Sequence, residues 1–263
     1  MFFKEIDTLK YEKRFSVCIL TARQDEFESV TNSFIKAGFT EENSEYLYID
    51  NINKNKYDAY DGYNKFLNLA RGEYIILAHQ DLLLDFDDVD VLNQRIEEMN
   101  KLDPNWAILG NFGFSKENIN RRYSRITDPG VDNLFEGPLP AKVGSLDENF
   151  LVIKNDANLA LSRNIGHYHL YGTDLCIQAQ NQGYSTYVID FHLRHKSGGF
   201  PNKSFYDTKE RLIKQYSNAF KSRFVRTPCT IIYISNNSFL NKIMNKKFIY
   251  SIKKRIDKIK GKK

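Results

Sequence analysis

Ala70-Arg71-Gly72-Glu73-Tyr74-Ile75-Ile76-Leu77-Ala78-His79-Gln80-Asp81 runs a wholly apolar segment straight into a polar, carboxylate-bearing turn. The unbroken apolar run Tyr74 to Ala78 reads as a strand buried on both faces, the habit of parallel sheets covered by helices. In such sheets ligands lie beyond the carboxyl ends of the strands, which places His79, Gln80 and Asp81 where a ligand would sit.

Upstream, Phe15-Ser16-Val17-Cys18-Ile19-Leu20 reads as a strand ending at the polar turn Thr21-Ala22-Arg23. A helix carrying Phe27, Val30, Phe34 and Ile35 follows and stops at Gly38. Tyr46 to Asp50 is a second strand, with Asn51 opening its loop, and a helix over Tyr57 to Ala70 leads back to the opening stretch. This β-α-β-α-β order predicts an α/β fold with a Rossmann-like, mostly parallel sheet flanked by helices. Downstream, Asp87-Asp88-Val89-Asp90 reads as the capped start of a helix through Lys101, since acids suit the positive end of its dipole. Trp106 to Phe112 is a strand, and about thirty loop-like residues rich in Gly, Pro, Asn and Arg follow. Phe150 to Lys154, a helix over Tyr171 to Gln182 and a strand over Tyr184 to Asp190 complete the pattern.

With 263 residues, 41% of them hydrophobic, the chain can bury the core of one large domain. No segment approaches the roughly eighteen apolar residues of a membrane span, and acids in Met1-Phe2-Phe3-Lys4-Glu5-Ile6-Asp7 do not suit a signal peptide. A cytoplasmic location is expected. Cys18, Cys176 and Cys229 form no close pair, so each is expected to pack as a small hydrophobe. The net charge of +5 is unevenly placed: ten basic residues against Asp257 alone follow Asn241, leaving the remaining body acidic. That body argues against a nucleic-acid-binding core. Ile249, Ile252, Ile256 and Ile259 recur at helical spacing among the lysines, predicting a basic amphipathic helix suited to the inner, anionic face of a membrane. A solubilising tail or a helix packed on a partner explains the same pattern. The expected division is a main domain over 1–222 and a basic C-terminal extension over 223–263.

The Ala70 to Asp81 stretch resembles the strand and metal-binding turn of family 2 glycosyltransferases with the GT-A fold, where "A-R-G-E-Y-I" leads into Asp-x-Asp. His79 stands in place of the first acid, as in a bacterial branch of surface-polysaccharide and capsule transferases with His-Gln-Asp. The similarity extends in patches from about Ser16 to about Gly199. It implies a hexosyltransferase-type enzyme that moves a sugar, with inversion, from a nucleotide-diphosphate donor to a glycan or lipid-linked glycan in polysaccharide biosynthesis. A UDP-sugar is the favoured donor.

Such a transfer needs a seat for the nucleotide, positive charge against the departing diphosphate, and a base for the acceptor hydroxyl. Thr21, Ala22, Arg23, Asp50 and Asn51 lie at strand ends on one sheet edge and supply the seat, together with His79, Gln80 and Asp81. Asp50 and Asn51 also match the family's strand-two acidic turn, although turn formation explains them equally. Asn64 matches the "Y-N" of its following helix. Asp81 is the expected ligand for Mn²⁺ or Mg²⁺, which take hard oxygen donors. His195, within the late "H-x-S-G" segment His195-Lys196-Ser197-Gly198, is a second metal candidate. His79 in place of an acid lowers the site's negative charge, so the expectation is metal binding that is weaker, that leans toward manganese through the imidazole, or that is absent. Asp174 matches the Asp of the "E-D" motif, the catalytic base, with Thr173 replacing the usual acid; helix capping is the plain alternative. Asp147 is an acceptor-side candidate. A silent sugar-nucleotide or glycan-binding module remains an alternative, as does a nucleotidyltransferase, although no Gly-rich phosphate loop with a downstream Lys follows the first strand.

Overall fold

A computed structural model describes residues 11–199 and 201–260, so Met1 to Asp7 and Lys262 and Lys263 lie outside the described residues, as do the side chains of Lys247, Tyr250, Lys254, Asp257 and Lys260. The chain divides into two compact units, Met1–Lys209 and Glu210–Lys263.

The first unit begins with strand β1 (Lys13–Thr21), helix α1 (Gln24–Lys36), strand β2 (Ser44–Asp50), helix α2 (Ala59–Leu69) and strand β3 (Gly72–Ala78), in the expected alternation. Both neighbours of β1 are parallel to it. Thr21 faces Asp50 and Ile19 faces Ala78, so the carboxyl ends of all three strands reach one sheet edge. Then come β4 (Leu82–Leu83), α3 (Val89–Leu102), β5 (Trp106–Gly110), β6 (Phe112–Phe114), β7 (Arg122–Asp128), β8 (Val131–Glu136), β9 (Ala141–Lys142) and β10 (Ser145–Leu146). The unit continues through β11 (Phe150–Lys154), α4 (Tyr171–Asn181), β12 (Ser185–Val188) and β13 (Leu193–His195).

Seven strands form the main sheet in the order β2-β1-β3-β11-β5-β12-β9. It is more mixed than expected, because β11 runs antiparallel to both β3 and β5. Phe150 starts opposite Ala78, so β11 enters at the very edge where β3 leaves, bringing Asp147 to Asn149 beside His79. Core side chains follow the apolar runs: Phe15, Val17, Ile76, Trp106, Leu109, Phe150 and Val152 are fully buried. Tyr74 stacks on Trp106 with ring centroids 5.8 Å apart.

The expected thirty-residue loop is instead sheet. The hairpin β7–β8 joins a second sheet ordered β10-β6-β7-β13-β4. Its polar sequence disguised it: in β7 only Ser124, Ile126 and Thr127 are buried, two of those three are polar, and no residue of β8 is buried. Gly130, at φ +80°, makes the reversal between the two strands. The strand expected over Trp106 to Phe112 breaks at buried Asn111, whose carbonyl accepts from the Arg125 amide at 2.8 Å and turns the chain from one sheet to the other.

Capping explains the acidic cluster, for the Asp88 carboxylate accepts from the Asp90 and Val91 amides, each at 3.0 Å. Helix α2 starts later than the periodicity suggests because Asp58 caps it, accepting from Asp61 at 2.9 Å. Helix α5 (Lys203–Ala219) runs through the division between the units. The second unit holds the antiparallel hairpin β14 (Arg223–Arg226) and β15 (Ile231–Ile234), then α6 (Ser238–Met244) and α7 (Lys247–Lys260). Cys18 and Cys176 are buried as expected, but Cys229 is exposed in the turn of that hairpin. Along α7, Phe248, Ile252, Ile256 and Ile259 are exposed. No described helix is long and apolar enough to cross a membrane.

Candidate functional site

Backbone pairing assembles the centre of the site. As β3 ends, the His79 amide donates to the Asn149 carbonyl at 2.9 Å, anchoring the turn to the start of β11. Leu82 in β4 then pairs with His195 in β13, and the Lys196 amide donates to the Asp81 carbonyl at 2.9 Å. His195 is thereby brought beside Asp81 across more than a hundred residues of sequence.

The side chains converge. His79 Nδ1 lies 3.7 Å and His195 Nε2 3.5 Å from Asp81 Oδ1. One ligating atom from each of the three residues lies within 4.8 Å of the others, a separation that suits a shared cation. Each imidazole is also held by its far nitrogen: His79 Nε2 is 2.7 Å from the Tyr171 hydroxyl, and His195 Nδ1 is 3.0 Å from Asp128 Oδ1. Histidines that bind metals are oriented in this way by a second partner. The donor set of two imidazoles and one carboxylate therefore fits a divalent ion.

Electrostatics favour an ionised carboxylate here. Burial opposes the charge of Asp81, but hydrogen bonds from His195 and Ser197 and the fields of both histidines outweigh it and hold the carboxyl below the usual range. Burial pushes His79 toward its neutral form, against the pull of Asp81 and Asp147. For His195 burial has the same sense, yet Asp81 and Asp128 prevail and raise it to about 8.

Around this centre the predicted residues divide. Ala22, His79, Gln80 and Asp81 line one cavity of about 220 Å³, with Tyr63 and Tyr171. Gln80 is also a clasp: its Oε1 accepts from the amides of Ala22 at 2.7 Å and Arg23 at 3.2 Å, and the Thr21 hydroxyl is 3.1 Å away. The Arg23 side chain is exposed and paired with Asp25 at 2.6 Å. Asp50 accepts from the Ile52 amide at 2.9 Å, and buried Asn51 brackets its loop, donating to the Tyr57 carbonyl at 2.7 Å and accepting from the Lys56 amide at 3.0 Å. Asn64 lies apart, bonded to the Leu161 carbonyl at 3.1 Å and amide at 2.8 Å. These bonds make Asn51 and Asn64 parts of the frame.

Asp174 differs from its expected position facing the cleft. It is fully buried, and its two carboxylate oxygens accept from the Ser162 amide at 2.7 Å and hydroxyl at 2.8 Å. That pair ties the loop before α4 to the helix's first turn. Asp147, by contrast, is exposed, and its charge raises the proton affinity of both His79 and His195. Beside it, burial and the charge of Asp147 push Glu148 up to about 8.

Tyr171 and Asp128 were not foreseen from sequence, and Ser197 entered only as part of the H-x-S-G segment. Tyr171 opens α4 in a tyrosine-rich turn, and its hydroxyl also lies 3.3 Å from that of buried Tyr63. Asp128 ends a strand hidden inside an apparent loop, so nothing linear connects it to His195. A second cavity, of about 590 Å³, opens between the hairpin tip Asp128–Asp132 and the stretch Arg194–Lys196.

No family model matches the chain. A relative from Fuscovulum blasticum, "ATP synthase subunits region ORF 6", is 30% identical over 215 residues, covering 80% of this chain and 86% of its own length. Among solved structures, the mannosyltransferase PcManGT from Pyrobaculum calidifontis, in complex with GDP-Man and Mn²⁺, superposes with a TM-score of 0.51 at 12% identity, over 80% of this chain. The match spans 64% of that protein, just under two thirds of its length. S. aureus TarS 1-349 in complex with UDP-GlcNAc superposes with a TM-score of 0.51 at 10% identity, over 78% of this chain and 67% of TarS 1-349. These likenesses, with the sheet order above, give the chain the GT-A fold.

Proposed function

The chain belongs to the family of the Fuscovulum blasticum ORF 6 protein and carries the GT-A fold, and from that premise we propose that it is a metal-assisted glycosyltransferase. The observation that carries this reading is the His79, Asp81 and His195 cluster at the sheet edge, each imidazole fixed through its far nitrogen. Two imidazoles and a carboxylate suit Mn²⁺ better than Mg²⁺, which prefers oxygen ligands throughout. PcManGT, with the same fold, was solved with GDP-Man and Mn²⁺, and TarS with UDP-GlcNAc, which supports a nucleotide-diphosphate sugar as donor, a UDP-sugar being favoured.

In this reading His79, Asp81 and His195 hold the ion, which when bound stabilises negative charge on the departing diphosphate. The cavity beside His79 and Asp81, at about 220 Å³, receives part of the donor, while Gln80 keeps the β1 turn of Thr21, Ala22 and Arg23 in place. The acceptor oxygen bonds to the anomeric carbon as the bond from that carbon to the diphosphate oxygen breaks, and the electron pair leaves with the diphosphate. One displacement of this kind inverts the anomeric centre. The acceptor proton passes to a carboxylate, for which exposed Asp147 is better placed than Asp174, whose oxygens are engaged by Ser162. The acceptor is a glycan or lipid-linked glycan of a surface polysaccharide. The transferase domain is taken to end near residue 222, and the basic helix α7 to rest on the inner face of an anionic membrane.

Donor hydrolysis tests the proposal. With a panel of UDP-, GDP-, CMP- and dTDP-sugars, Mn²⁺-dependent release of sugar is expected from at least one donor and none from Asp81→Asn. A silent binding module would release none from any donor under any condition.

A further inference from the structure

The cation centre stands between two cavities. The smaller is bordered by His79 and Asp81, the larger, of about 590 Å³, by His195. A volume of that order lies within the range of small-molecule sites, about 300–1,000 Å³. The proposed donor enters the smaller and leaves the larger without an assigned ligand.

The larger cavity has a definite chemistry. Its cations are already engaged: Arg194 Nε lies 2.6 Å from Asp85, Lys196 pairs with Glu26, and His195 Nδ1 meets Asp128 at 3.0 Å. What its wall adds is oxygen. Asp128 and Asp132 each bring a carboxylate to the rim, and of Asp132 one oxygen is 3.0 Å from the Thr127 hydroxyl. An ionised carboxylate has about four acceptor sites, so internal bonds of this number leave acceptor capacity toward the cavity. Pro129 and Val131, between the two acids, add apolar surface. A phosphate would meet paired cations and two carboxylates. A neutral ligand rich in hydroxyl donors with an apolar face, which is a sugar ring, meets complementary groups throughout.

We propose that this cavity is the acceptor subsite: a neutral glycan end docks between the β7–β8 hairpin tip and the end of β13, with hydroxyls on Asp128 and Asp132, and its reactive hydroxyl emerges at His195. The assignment of the ligand as the acceptor rests on the glycosyltransferase reading above; the prediction of a sugar site does not. The hairpin thus sets acceptor specificity, independently of the turn after β3 that faces the donor.

Saturation-transfer NMR on the full chain tests it, using as probes methyl glycosides of glucose, galactose, mannose, rhamnose, N-acetylglucosamine and N-acetylgalactosamine. At least one is expected to bind the wild type, to be displaced from Val131→Trp, which fills the cavity, and to weaken about tenfold in Asp132→Ala, the scale of one hydrogen bond to a charged group. UDP and GDP with Mn²⁺ serve as the parallel probe and are expected to bind both variants as they bind wild type, which also shows that the variants are folded. Failure of every glycoside to bind, or binding unchanged in both variants, overturns the subsite. If glycosides bind as predicted but neither nucleotide does, the sugar site stands and the transferase reading fails.

Discussion

Asp81 is the residue on which the candidate site turns, because it brings the one carboxylate to the cluster with His79 and His195 and is kept ionised by the imidazoles on either side. Asp81→Asn should abolish Mn²⁺ binding, whereas Tyr171→Phe, which frees His79 to rotate, should weaken it by about 10–100-fold with the three ligands intact; electron paramagnetic resonance of bound Mn²⁺ reads both. Glu148 gives a prediction independent of metal. Its folded pKa of about 8 lies above that of an unfolded glutamate, so the native state holds a proton that the unfolded chain releases. Stability from this group is therefore full at low pH and declines as pH rises from about 4.5 toward 8, by at most about 1.4 kcal/mol per pH unit. Glu148→Gln should flatten that decline and raise the melting temperature at pH 8, which thermal unfolding across this range would reveal. At this scale the sequence was only partly legible. Asp81 and His195 were readable from type and position after apolar strands. Asp128 and Tyr171 were not, because their roles arise from strand pairing and helix placement that bring distant residues together.

Elements decide which of those residues can act. Helix α4 begins on a clasp in which the Asp174 carboxylate takes two hydrogen bonds from Ser162. Asp174→Asn replaces one acceptor oxygen by a donor, so it should cost about 1.5–3 kcal/mol of stability, while Asp147→Asn should leave stability near wild type and lower transfer about 10²–10⁴-fold. Parallel unfolding and transfer assays separate the two; a stable but inactive Asp174→Asn would restore Asp174 as the base. The Asp88 cap of α3 offers a control remote in role. Asp88→Ala should cost about 1 kcal/mol and leave Mn²⁺ binding unchanged. Strands buried on both faces, such as β1 and β3, and helices with clear stripes, such as α1, could be read directly from apolar runs. The hairpin β7–β8 escaped because few of its residues are buried and two of those are Ser124 and Thr127, so a run such as Arg122-Tyr123-Ser124-Arg125 carries no continuous apolar signal. That missed hairpin supplies Asp128 and one wall of the larger cavity.

Across the whole molecule, charge and architecture are divided. The first unit holds the sheet, the cation cluster and both cavities, and the second ends in a basic helix with Phe248, Ile252, Ile256 and Ile259 exposed. Basic residues near an anionic surface contribute roughly 1 kcal/mol each before screening. Deleting the residues after Asn236 should abolish sedimentation with phosphatidylserine vesicles and leave Mn²⁺ binding in place; undiminished sedimentation would rule the tail out as the membrane contact. The α/β fold thus followed from the hydrophobic pattern, while the cavity beside His195 did not, since its walls are brought together by tertiary pairing. In the proposed function His79, Asp81 and His195 hold a divalent ion for a nucleotide-diphosphate sugar. Titrating Mn²⁺ into the protein with and without UDP or GDP, followed by electron paramagnetic resonance, tests it most directly. One bound ion per chain, tightened by a nucleotide diphosphate and lost in Asp81→Asn, is the predicted result. No specific binding, or binding indifferent to Asp81, would contradict it.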